Sequence, residues 1–210
     1  MKLLILFAAD LVYSACETPD GDHGQDVHCP NQMYMRGWCT SGGNKDCCGS
    51  NCSHRLLCCD DYTIPRDNCY SKAGHEGEFL SCDGRSAITG ACGSGKNGDC
   101  TARFLSQMYN ETGVAADEEV IRGGSYTIAW CCEHNLNVAP YGYWFMEGCG
   151  YDVECRPNQI MSGICGSGKN ADCQNVPNGR KEATSQRSKP ELRCSQGDRY
   201  TGIYCVDVIP

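Results

Sequence analysis

Aromatic residues make up only 9% of this 210-residue chain, so a small unit of it has little large apolar side chain with which to build a core. No apolar run beyond the N-terminus is long enough to cross a bilayer as a helix. No two cysteines stand three apart, which removes the C-x-x-C pairs usual in zinc modules. A G-x-S-x-G elbow, an H-E-x-x-H helix and an obvious carboxylate pair are all missing. His23, His28, His75 and His134 show no catalytic spacing. The sequence therefore points to a protein that is not an enzyme and holds no cofactor or metal. Basic residues are outnumbered, giving a formal net charge of -8, which argues against general nucleic-acid binding. That charge is also too mild, and too mixed in sign, to coat mineral by charge alone.

What the chain does contain is cysteine: 20 residues, a density that marks an oxidised extracellular protein. Lys2, the apolar run 3–9 and the small residues near Ser14 and Ala15 read as a secretory leader over residues 1–15. A soluble, secreted, extracellular chain with no membrane span is expected.

One cysteine frame occurs three times. Cys29, Cys39 and Cys47 share their spacing with Cys82, Cys92 and Cys100, and with Cys155, Cys165 and Cys173. Each frame closes on a later cysteine: Cys58, Cys131 and Cys205. One unit has been copied and stapled. The expected organisation is copy one over 16–68, copy two with its connector over 69–148, and copy three over 149–210. Within each copy an apolar strand precedes the second frame cysteine, with Gly37, Gly90 or Gly163 in register. That glycine suggests a bulge or a close backbone approach. A second strand, rich in β-branched and aromatic residues, ends each copy. The fold class expected is all-β and disulfide-rich. Three short antiparallel units sit in a pseudo-threefold arrangement, as a β-prism or a barrel-like form. Residues 114–121 could add a short helix, and the polar segment 174–193 reads as loop.

The remaining cysteines suggest connector bridges. Copies one and two end in a cysteine pair whose second member is Cys59 or Cys132, where copy three has Val206. Cys16, Cys69 and Cys149 precede the three copies. The spacing predicts Cys59–Cys69 and Cys132–Cys149, each fastening a connector to the copy before it. Cys16, Cys48, Cys52 and Cys194 are left over, and a Cys16–Cys194 bridge would close a ring. The dense Cys/His stretch 47–59 could hold zinc only as reduced thiolates, which an exported chain would not keep.

Gly90 to Asn97, echoed at 163–170, imitates the G-x-x-x-x-G-K start of a phosphate loop. The magnesium-holding Ser or Thr is Asn here, and the segment recurs between framework cysteines, so it reads as a tight turn. Asn44 and Asp46, Asn97 and Asp99, and Asn170 and Asp172 are candidate ligand oxygens on those turns, for calcium or sugar hydroxyls. Asn110 begins a glycosylation sequon in a long loop. Tyr141, Tyr143, Trp144, Phe145 and Tyr151 form an aromatic run that either packs on the strands or presents a sticky surface.

Cys155, Ile160, Met161, Gly163 and Ser167, followed by Asp198-Arg199-Tyr200-Thr201-Gly202-Ile203-Tyr204-Cys205, resemble the repeat of dermatopontin-like extracellular matrix proteins. Cys82, Gly90, Ser94 and the pair Cys131-Cys132 are similar to the same unit. The resemblance implies a secreted, non-enzymatic protein that binds matrix components or cell-surface glycans, with relatives in shell matrix and among agglutinins. A threefold β-prism, like that of vitelline membrane outer layer proteins, is a second architectural analogy. The expected function is a disulfide-hardened structural component of an extracellular matrix, of the biomineral (shell) or egg-coat kind, able to self-associate. A multivalent lectin or defence protein is the alternative, and a secreted enzyme or inhibitor a third.

Overall fold

A computed structural model describes residues 15–22, 24–40, 47, 52–93, 100, 127–148, 152–166, 173, 180–181 and 201–210. These residues form strands and turns and no α-helix. Residues 1–14 of the expected leader 1–15, the expected helix 114–121 and most of 174–193 lie outside them.

Copy one folds as β4 (Tyr34–Thr40) against β5 (His54–Cys59). Copy two folds as β8 (Ser86–Gly93) against β9 (Thr127–Glu133), and copy three as β12 (Gln159–Gly166) against β14 (Thr201–Val208). Both strands of each pair are buried over nearly their whole length, so apolar residues run on rather than alternate. The register slips once in every pair, at Arg36, Thr89 and Ser162. Each slip is a β-bulge, and each falls one residue before the glycine in register.

Two further strands complete each sheet. On one side a connector strand pairs with the second strand of the copy that follows it. These are β1 (Cys16–Glu17) on β5, β6 (Cys69–Gly74) on β9, and β10 (Val138–Gly148) on β14. On the other side sits the short strand that leads into a different copy. β3 (Asp26–His28) from copy one pairs with β8 of copy two. β7 (Phe79–Ser81) pairs with β12, and β11 (Val153–Glu154) returns to β4. The residue before each first cysteine always faces the bulge glycine: His28 faces Gly90, Ser81 faces Gly163, and Glu154 faces Gly37. The next amide repeats too. Cys29 N donates to Thr89 O (2.9 Å), Cys82 N to Ser162 O (2.7 Å) and Cys155 N to Arg36 O (2.7 Å). Small additions, β2 (Asp20–Gly21) on β5 and β13 (Arg180–Lys181) on β10, extend two of the sheets.

The glycines in register are required by these approaches. A Cβ on Gly163 would lie 2.6 Å from the Phe79 ring and 2.9 Å from Leu80 O. On Gly90 it would lie 2.5 Å from His28 Nδ1 and 2.9 Å from Val27 O. The bulge and the close approach suggested by the sequence are both present.

One apolar core joins the copies. Trp38 and Leu56, Ile88 and Ala129, and Ile164 and Ile203 pack in the same cluster as Cys58, Cys131 and Cys205. A fully buried Leu or Ile of this kind contributes about 1.5–3 kcal/mol. Polar contacts lie between copies beside it. Thr40 N donates to Thr201 Oγ1 (2.9 Å), and Thr127 Oγ1 donates to Gly166 O (3.3 Å).

Eight disulfides lie among the described residues. Cys29–Cys58, Cys82–Cys131 and Cys155–Cys205 tie each copy's lead to its second strand. Cys39–Cys47, Cys92–Cys100 and Cys165–Cys173 each join two cysteines eight residues apart within a copy. The other two correct the connector scheme. Cys16 bridges Cys59, and Cys69 bridges Cys132. The predicted Cys59–Cys69 and Cys132–Cys149 bridges therefore do not form, and neither does the Cys16–Cys194 ring closure that spacing left open. Each connector is fastened to the copy after it, because its strand pairs there and sets the two cysteines face to face. The Cα atoms are 4.2 and 4.1 Å apart, the close spacing of a non-hydrogen-bonded antiparallel pair. In copy three that register holds Tyr143 opposite Val206, so Tyr143, and not Cys149, corresponds to Cys69. Cys52 is also bridged. Cys48, Cys149 and Cys194 lie outside the described residues.

Candidate ligand site

The described residues line an open cavity of about 250 Å³ between copies two and three. Its floor is β12 and β14, through Ile160, Ser162, Tyr204 and Val206. One wall is the turn from Cys82 to Ser86, and the other is the connector residues His134, Val138 and Ala139. Phe79 meets Tyr204 edge-on at its end, with ring centroids 4.5 Å apart. The volume suits a small group or a side chain rather than a drug-sized ligand.

The turn is fixed by its own backbone. Ser86 N donates to Asp83 O at 2.8 Å, and Arg85 O accepts from His134 N at 2.9 Å. Asp83 N donates to the Tyr70 hydroxyl at 2.6 Å. The Asp83 carboxylate accepts from Lys72 Nζ at 2.8 Å, and Lys72 holds that carboxyl below the usual range. The pair is exposed, so it orients the turn more than it stabilises the fold.

His134 is 5% exposed. Its Nδ1 accepts from Leu136 N at 3.2 Å, so the neutral ring carries its proton on Nε2. Burial, with help from the charge of Arg85, pushes its pKa below the ordinary value. A neutral imidazole is thus the stable form on this wall, offering a donor. No serine hydroxyl of the cavity is hydrogen-bonded to it among the described residues. The arrangement can bind a small polar group, and it lacks the nucleophile–base contact of a hydrolytic triad.

Most residues singled out by sequence lie elsewhere. The turn oxygens of Asn44, Asp46, Asn97, Asp99, Asn170 and Asp172 fall outside the described residues, as do Asn110 and Tyr151. Tyr141, Tyr143, Trp144 and Phe145 lie on β10. The frame cysteines are all bridged and serve the scaffold. Among the described residues no group of His, Cys, Asp and Glu could hold a metal ion, and no helix is long and apolar enough to cross a membrane. Sequence reasoning missed Asp83, Ser86, His134 and Ser162. One signal was available: the residue before each in-register glycine is the bulge, and it reads Arg36, Thr89 and Ser162.

Compared with known proteins, the chain matches no family model, no curated protein and no solved structure.

Proposed function

We propose that this chain is a secreted, disulfide-hardened structural component of an extracellular matrix. In this reading the three copies act as one pseudo-threefold block with no catalytic step assigned to it. The observation that carries it is the exchange of lead strands, β3 to β8, β7 to β12 and β11 to β4, with a lead-to-strand disulfide in every copy. Loss of any copy takes an edge strand from the sheet of one neighbour and leaves the lead strand of the other unpaired, which suits a material under mechanical load. The density of disulfides favours an extracellular setting. The resemblance to dermatopontin-like matrix proteins supports the same role, with matrix components or glycans as partners and self-association as the means of assembly.

Immunolocalisation in the source tissue, with sequential extraction, tests this. A matrix role expects the antigen in an insoluble layer that releases it only with denaturant or reductant. Recovery of the protein from body fluid in freely soluble form would overturn it.

A further inference from the structure

The cavity has two counterparts in the molecule, and both are filled from within. Each groove lies between the turn that leads one copy and the strand pair of the next. In the groove between copies one and two, Arg66 enters from the connector. Its Nη2 donates to Met33 O (2.7 Å) and Cys29 O (3.1 Å), and its Nε to Asn31 O (3.0 Å). Its Nη1 lies 3.9 Å from Cys132 Sγ. In the groove between copies three and one, the Tyr34 hydroxyl donates to Asp61 (3.0 Å) and reaches Gln159 O (3.4 Å). Arg36, at the bulge, pairs there with Asp61 (3.1 Å) and Glu154 (3.8 Å).

In the third groove the same places hold small or apolar residues. The frame puts Cys82, Gly84 and Ser86 where Cys29, Asn31 and Met33 stand, and all three line the cavity. Val206 replaces Cys132, Ser162 replaces Arg36, and Ile160 replaces Tyr34. The connector contributes Val138 and Ala139 where the earlier connector supplied Arg66.

We propose that this third groove binds a guanidinium group from outside, seated on the 82–86 turn as Arg66 is seated on the 29–33 turn. Asp83 supplies the opposite charge at the rim, and the apolar floor with Tyr204 and Phe79 supplies a face for the flat cation. Lys72 and Arg85 stand nearby and oppose a cation. That repulsion acts on guanidinium and ammonium alike; what favours guanidinium is its weaker hydration and its flat shape against the apolar floor. The source is either an arginine side chain of another protein or a free guanidino compound.

Titration of ¹⁵N-labelled full-length protein with N-acetyl-arginine-methylamide, followed by amide chemical shifts, tests this. Saturable shifts confined to Cys82, Gly84, Ser86 and His134 are expected, with a Kd on the order of 1 mM. The lysine analogue should bind at least about tenfold more weakly. Ser162→Arg, which places a guanidinium at the Arg36 position, should abolish the shifts. Should that variant not fold, Asp83→Asn should weaken binding several-fold. An arginine-bearing peptide binding well above ethylguanidinium assigns the source to protein, and equal affinity assigns it to a small molecule. Equal binding of the citrulline analogue, or no saturable shift at all, overturns the proposal. A fluid-phase or matrix location of the protein leaves this result unchanged, so the two readings fail separately.

Discussion

At the scale of the residue, the glycines after the bulges do the most with the least. Gly163 admits the Phe79 ring and the Leu80 carbonyl, so Gly163→Ala is expected to cost about 1–3 kcal/mol through overpacking. Gly84 has nothing within 4 Å of an added Cβ, and Gly84→Ala should stay within about 0.5 kcal/mol. Urea midpoints of the two variants check the contrast, and equal losses would refute the account of Gly163. His134 carries a pH dependence. Its pKa is lowered in the folded state by burial and Arg85, so the unfolded chain binds a proton where the folded chain does not. Stability from this group is complete above the unfolded value, near 6.5, and falls as pH drops through that value toward the folded one. His134→Gln should flatten that part of the profile. Denaturation midpoints between about pH 7.5 and 5 would show it, and parallel profiles would exclude His134 as the source.

At the scale of the element, register decides which cysteines meet. Cys16 faces Cys59 and Cys69 faces Cys132, because β1 and β6 lie antiparallel on β5 and β9. β10 lies on β14 in the same way but sets Tyr143 against Val206. The two are 63 residues apart in the chain, the separation of Cys69 and Cys132. Tyr143→Cys with Val206→Cys is therefore expected to form a further cross-strand bridge, adding up to about 2–4 kcal/mol. A mass shift of two hydrogens and a raised melting temperature would confirm it. A pair of free thiols in the oxidised protein would show that the register is not as described. Sequence spacing could not reveal this, since Cys149 stands one residue past the strand and looked like the natural counterpart of Cys69.

At the scale of the whole molecule, no copy is self-contained. Removing copy two would strip β3 of its partner β8 and β12 of its edge strand β7. The core cluster would also lose Ile88, Ala91 and Ala129. Thermal unfolding of the oxidised protein should accordingly be one cooperative transition in calorimetry. A fragment of residues 16–68 should show no dispersed amide spectrum on its own. Two resolved calorimetric peaks would instead mean that the copies fold independently. The grooves between copies belong to this scale as well. Arg66 and Tyr34 show what two of the grooves hold, and among the described residues a cavity remains beside His134.

The sequence by itself determined the local chemistry. Cysteine spacing fixed the three frames, and β-branched and apolar runs fixed the strand pairs, since both depend on neighbours a few residues away. The in-register glycines announced a bulge and a close approach without naming the partner. Tertiary structure alone decided which strand lies beside which. It fastened each connector to the copy ahead rather than behind, and it sent β11 back to β4. Among the described residues it also left a cavity between copies two and three. These outcomes depend on contacts between residues far apart in the chain, where pairing is set by the burial of a shared core and not by spacing.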